Sequence, residues 1–147
     1  MKTESDDGLP DFVDLHSRFI GLGLGYRAEL RRVSTPDDLS LVPAFYRLFP
    51  GKRPDARHRR VAFLLPWCRH STKPTDLGRQ FVERHINERR LLQVARANAP
   101  IDLIQFRRLA MHVEPVVDWA QFGQRLWFWG PLSKRLIVED FYLAQIT

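Results

Sequence analysis

Lysine and cysteine are scarce in this sequence of 147 residues. Only four of its 23 basic residues are lysines, and the other nineteen are arginines. The single cysteine, Cys68, excludes an intramolecular disulfide framework and fits a reducing compartment, so we expect a cytoplasmic protein. No apolar run approaches the roughly 18 residues that a membrane-spanning helix needs, and residues 1–10 are polar and acidic. The sequence therefore predicts neither membrane insertion nor export.

Arginine supplies almost all of the positive charge, which gives a formal net charge of +6. A guanidinium group stays charged at any working pH and presents a planar set of donors that matches phosphate oxygens. The composition therefore predicts a polyanionic partner, and nucleic acid is the leading class. Four arginine doublets concentrate this charge: Arg31-Arg32, Arg59-Arg60, Arg89-Arg90 and Arg107-Arg108.

Apolar residues recur at helical spacing along most of the chain, and alternating strand-like runs are scarce. These patterns predict an all-α protein of two small helical bundles. Residues 1–10 are expected to form a flexible tail, 11–75 the N-terminal bundle and 76–147 the C-terminal bundle. Residues 70–75 have no periodicity and serve as the predicted linker.

Polar residues and prolines mark the expected helix boundaries. Asn87, Asp118 and Ser133 each precede an apolar periodic run and are predicted to cap the helix that follows, the last of them 134–146. Pro43 lies inside another periodic run, so it is expected to kink that helix or split it in two.

Helical periodicity also predicts which basic side chains face outward. Arg89, Gln93 and Arg96 share one side of the helix after Asn87, opposite its apolar residues. Arg108 belongs to the narrow polar stripe of the helix 101–112, whereas Arg107 falls among apolar neighbours. We therefore expect Arg107 to pair with a carboxylate. The candidate partners are Glu114, Glu139 and Asp140.

No pattern in the sequence indicates catalysis, a metal or a cofactor. Cys68 and His70 are two residues apart, and such neighbours in a helix point in different directions. The five histidines lack metal-binding spacing, and the glycines at 21–25 do not match a dinucleotide-binding loop. The aromatic residues at 119–129 are spaced as core residues, although Trp127 lies off that stripe and could stack on a base.

Six stretches of the chain resemble the CasB family, the small subunit of the type I-E CRISPR Cascade complex. They occur in the family's order and with similar spacing over roughly residues 31–143. The stretches are RRVSTPDDL at 31–39, VPAFYRL at 42–48, INERR at 86–90, QFRRL at 105–109, HVEPVVDW at 112–119 and EDF at 139–141.

The resemblance implies a non-catalytic subunit that sits as a head-to-tail pair along a guide-RNA complex with other Cascade proteins. There it is expected to brace the target strand and to hold the displaced single strand of the R-loop. It implies strand contacts for four arginines that match basic family positions: Arg32, Arg57, Arg96 and Arg108. The candidate nucleic-acid-binding set is completed by two further arginines, Arg31 and Arg89.

Three other functions remain open from the residues. The arginines could instead pair with carboxylates of neighbouring subunits, which would make the chain a protein-docking scaffold. A helix-turn-helix DNA regulator would need an outward base-reading helix, and the helix 101–112 is too apolar for that role. A small hydrolase ranks last, because no nucleophile, base and orienting group can be placed together.

Overall fold

A computed structural model describes residues 8–146, so residues 1–7 of the predicted tail lie outside the described part of the chain. Within it, no helix combines the length and the apolarity that crossing a bilayer requires. The helices in chain order are α1 (Phe12–Gly21), α2 (Leu24–Arg32), α3 (Pro43–Leu48), α4 (Ala56–Leu64), α5 (Leu77–Glu83), α6 (Glu88–Arg96), α7 (Ile101–Val113), α8 (Trp119–Trp127) and α9 (Pro131–Ile146).

The predicted all-α class is confirmed, since residues 8–146 contain only two strands of two residues each. These strands, β1 (Arg69–His70) and β2 (Val116–Val117), pair in parallel and place His70 opposite Val117. Ser71 N extends the pairing by donating to the carbonyl of Val117 at 2.9 Å. The start of the segment predicted as a linker is therefore fixed to the second half of the chain.

The expected caps at Asn87 and Asp118 are confirmed, but the cap at Ser133 is wrong. Asn87 accepts from Arg89 N, and Asp118 accepts from Ala120 N. Helix α9 instead begins at Pro131, whose missing N–H is no loss in a first helical turn. Ser133 is buried inside that turn, with its hydroxyl close to the carbonyls of Arg125 and Phe128.

Pro43 splits the helical run that contains it, which was one of its two expected effects. The residues before it form a 3₁₀-helix, Pro36–Leu41, and Pro43 then begins α3. The 3₁₀-helix starts with a capping box, in which Thr35 and Asp38 satisfy each other's backbone N–H groups.

Helix α8, from the C-terminal half of the chain, packs against α1 and α4 of the N-terminal half and so connects the buried side chains of the two halves. The Trp127 ring meets Phe12 edge-on at 6.0 Å between ring centroids, and Trp119 Nε1 donates to the carbonyl of Cys68 at 3.0 Å. Trp127 is fully buried, so it belongs to the core and offers no stacking surface. The division at residue 75 stays a prediction, and its two parts share one continuous set of buried side chains.

Helices α5 and α9 cross closely in the C-terminal half, and Gly78 makes this approach possible. A Cβ atom at Gly78 would lie 2.3 Å from the backbone N of Phe141 and 2.7 Å from Cβ of Asp140. Backbone atoms of a buried helix cannot yield by that distance without separating the two helices.

We predict that Gly78→Ala lowers the free energy of unfolding by about 2 kcal/mol or more, because the new methyl group forces α5 and α9 apart. Gly25→Ala is the matched control, since Gly25 lies in α2 with open space around its Cα. It should be neutral or stabilising by up to about 1 kcal/mol. Urea unfolding of both variants tests this, and equal stabilities would contradict the close crossing.

Candidate nucleic-acid interface

Several arginines form hydrogen bonds within the protein, where their side chains donate to carbonyl groups at helix C-termini. The last carbonyls of a helix lack an intrahelical partner and carry partial negative charge, so a cationic donor suits them. Helices α2, α3, α7 and α8 each receive such a donor. The contacts are Arg107 with Val33, Arg18 with Leu48 at 3.0 Å, Arg84 with His112 and Val113 at 3.2 and 3.3 Å, Arg69 with Glu114 at 3.1 Å, and Arg60 with Leu126 and Trp127.

Arg107 corrects one expectation, because its partner is a backbone carbonyl and no carboxylate. Its Nη1 donates to the carbonyl of Val33, the C-cap residue of α2, and its guanidinium carbon lies 4.4 Å from the centroid of the Phe63 ring. Burial, together with the adjacent charge of Arg108, lowers the pKa of Arg107. The carbonyl and the aromatic face thus replace the predicted ion pair.

The same contact links a residue of one arginine doublet to the residue that follows another doublet. Val33 directly follows Arg31 and Arg32, and Arg107 directly precedes Arg108. The side chains of Arg31, Arg32 and Arg108 are exposed. None of the three forms a salt bridge with a residue in 8–146. We call these three residues the junction set.

A second exposed set lies on α6, and we call Arg89, Gln93 and Arg96 the α6 set. All three side chains are exposed, and they line a shallow groove together with Asn87. Desolvation and the nearby carboxylate of Glu88 raise the pKa of Tyr142 in α9. Within the described chain no carboxylate forms a salt bridge with either arginine, so both charges remain available.

Arg57 differs from the other five candidate arginines, because the fold already binds it. Its Nε and Nη2 donate to the Asp55 carboxylate, with the shortest distance 2.7 Å, and its guanidinium carbon lies 4.5 Å from the centroid of the Trp127 ring. The hydrogen bond from Arg57 holds the pKa of Asp55 well below its usual value. Arg57 is half-buried and lies at the start of α4, more than twenty residues in sequence from the junction set and from the α6 set.

The structure thus separates the six predicted residues by environment. The outward orientation expected for Arg96 and Arg108 is confirmed, and Arg31, Arg32 and Arg89 are also exposed. The Arg107–Val33 hydrogen bond lies next in sequence to Arg32 and to Arg108, and α6 aligns Arg89 with Arg96. Their contact with nucleic acid stays a prediction.

We predict that arginines bound to carbonyls and exposed arginines differ in their effect on stability. Arg60→Met removes the side-chain donor of the Leu126 and Trp127 carbonyls, of which Leu126 keeps a backbone partner in Trp129 N, so the free energy of unfolding should fall by about 2 kcal/mol. Arg96→Met removes no internal bond and should change it by less than about 0.5 kcal/mol. Urea unfolding of both variants tests the division, and similar losses would show that it is wrong.

Comparison with known proteins identifies one curated relative and a matching solved structure. The chain is 36% identical to the CRISPR system Cascade subunit CasB of Escherichia coli K12 over 150 residues, which cover 91% of this chain and 94% of the relative. It also matches a chain in the crystal structure of E. coli Cascade bound to a PAM-containing double-stranded DNA target. That match has a TM-score of 0.82 and 38% identity, and it covers 91% of this chain and 97% of the other. No protein-family model matches the chain.

Proposed function

The chain belongs to the CasB family of CRISPR Cascade subunits, and we propose that it is the non-catalytic small subunit of a type I-E complex in antiviral defence. In this role it binds nucleic-acid backbone without reading sequence. It braces the target strand and holds the displaced strand of the R-loop. Its partners are guide RNA, the other Cascade proteins and a second copy of itself, and its compartment is the cytoplasm.

The observation that carries the proposal is that five of the six candidate arginines are exposed and form no salt bridge within residues 8–146. In a fold that uses many of its arginines internally, these five keep their donors free for a ligand. A guanidinium group matches phosphate oxygens in geometry and in charge. The five residues are Arg31, Arg32, Arg89, Arg96 and Arg108.

Arg57 remains part of the proposed interface in a different role. Its Nε and Nη2 are held by Asp55, whereas its Nη1 has no hydrogen bond to a residue in 8–146. A strand contact by Arg57 therefore uses Nη1 or the second N–H of Nη2. This contact is more rigid than those of the exposed arginines, because Asp55 and the Trp127 ring fix the guanidinium plane.

The energetics of R-loop formation explain why such contacts matter. A guide–target heteroduplex is about as stable as the DNA duplex that it replaces, so small contributions decide whether the R-loop persists. Contacts to phosphates are independent of sequence, which suits a complex that accepts any guide.

The environment of Cys68 supports a non-catalytic role. The residue is fully buried, and burial raises the pKa of its thiol far above the ordinary value. A thiolate nucleophile is therefore not available at neutral pH.

We predict that Arg32→Ala/Arg96→Ala/Arg108→Ala shortens the R-loop lifetime of the reconstituted complex about tenfold. Three exposed ion pairs at about 0.5 kcal/mol each give this factor. The matched control is Arg53→Ala/Lys73→Ala/Arg135→Ala, which removes the same charge from exposed positions outside both sets. The control should leave the lifetime nearly unchanged. Dissociation of fluorescent target DNA measures both.

The same variants distinguish the alternative function, a protein-docking scaffold. If the arginines pair with neighbouring subunits, the first variant will fail to assemble, and size-exclusion chromatography will show free chain. Normal assembly with an unchanged R-loop lifetime would contradict the proposed strand contacts. A melting temperature close to that of the original chain controls for folding.

A further inference from the structure

Helix α9 exposes an apolar face that no part of residues 8–146 covers. Leu132, Leu136, Leu143 and Ile146 on this face are between 37% and 82% exposed. The opposite face of α9 is buried and packs mainly against α5 and α6. Exposed apolar side chains cost free energy when they stay in water, so four in a row on one helix indicate a binding surface.

The spacing of these residues is that of a coiled-coil seam. Together with Glu139, they follow one another at steps of four, three, four and three residues. Alternating steps of three and four residues correspond to the a and d positions of a heptad repeat, which lie along one side of the helix. We call the five residues the α9 seam: Leu132, Leu136, Glu139, Leu143 and Ile146.

We propose that the α9 seam binds the α9 seam of a second copy of this chain in antiparallel orientation. Layers of an antiparallel coiled coil then place Leu132 opposite Leu143 of the second copy. They also place Leu136 opposite Glu139 of the second copy. The register is self-complementary, so both copies use the same surface. The assembly is therefore a closed dimer, with no free seam left to bind a third copy.

Charge selects the antiparallel orientation over the parallel one. In a parallel pair the two Glu139 side chains would face each other in the middle of the seam, and their charges would repel. In the antiparallel pair each Glu139 lies near Arg135 of the other copy, which flanks the seam. Within one chain these two residues are 3.8 Å apart and both more than half exposed, so this weak ion pair is easily exchanged for one between copies.

A groove beside the seam receives the second copy. Leu132 and Leu136 form one wall of it, and Gln121, Gln124 and Arg125 of α8 contribute the other. In the proposed register the end of the opposite helix, with Leu143, lies over this groove. The contact therefore involves α8 as well as α9.

The proposed pair is separate from the proposed strand contacts. It uses none of the six candidate arginines, and its two-fold symmetry differs from the head-to-tail pair implied by the family resemblance. We therefore assign it to the free chain. Failure of the α9 pair would leave the R-loop proposal intact, and the reverse also holds.

Disulfide trapping of the full-length chain tests the register. Leu132→Cys/Leu143→Cys should form a covalent dimer under mild oxidation, because each cysteine faces its counterpart in the other copy. Each single variant should stay monomeric, since the two copies of one position lie about 16 Å apart along the antiparallel helices. Cys68 does not interfere, because it is fully buried. Absence of the double-variant dimer, or equal trapping of the single variants, would overturn the proposal.

A second measurement does not depend on cysteines. Leu136→Asp should raise the dimer dissociation constant of the purified chain at least about tenfold, because two-fold symmetry removes two apolar contacts with one substitution. Leu41→Asp is the matched control, since Leu41 is 91% exposed outside the seam. Sedimentation velocity over a concentration series measures both. A monomeric original chain, or equal dimerisation of the original chain and the Leu136 variant, would overturn the proposal.

Discussion

The carbonyl groups at the ends of short helices are the constraint on which this structure depends. Most of its helices have ten residues or fewer, so an unusually large share of the backbone lies at helix ends. Arginine side chains of one helix donate hydrogen bonds to the terminal carbonyls of another. Arg60 of α4 binds the last carbonyls of α8, and Arg107 of α7 binds the carbonyl that ends α2. Lys134 does the same for α6, where it donates to Ala97 at 2.8 Å and also pairs with buried Asp102.

This use of arginine explains how one residue type can serve both stability and binding. In the doublet at 107–108 the first side chain turns inward to a carbonyl and the second remains exposed. The inward contact binds the Arg107 side chain to Val33, the residue that follows Arg31 and Arg32. The proposed strand-binding surface thus includes arginines that are next in sequence to a contact that holds the helices together.

The sequence predicted those features that depend on neighbours along the chain. Helical periodicity gave the all-α class and the outward orientation of Arg96, and the Asn87 and Asp118 caps follow from local hydrogen bonds. The strands β1 and β2 could not be predicted, because two residues are too few to show an alternating pattern.

Features that depend on distant parts of the chain were predicted less well. The apolar neighbours of Arg107 predict a carboxylate partner, but the acceptor in the structure is the Val33 carbonyl, 74 residues away in the sequence. The ion pair between Arg57 and Asp55 was also not predicted, although these two residues are only two positions apart in the sequence. An acidic residue at a helix cap followed by arginine is a local signal that could have revealed it.

The salt dependence of R-loop stability tests the central claim, that free guanidinium groups contact phosphates. Each contact to a single-strand phosphate contributes about 0.7 to the slope of log affinity against log salt concentration. For assembled complexes, the account predicts that the slope becomes shallower by about 2 when three of the exposed arginines that contact single strands are removed. A slope that equals that of the original complex would contradict the account, because it would show that these arginines do not neutralise phosphates.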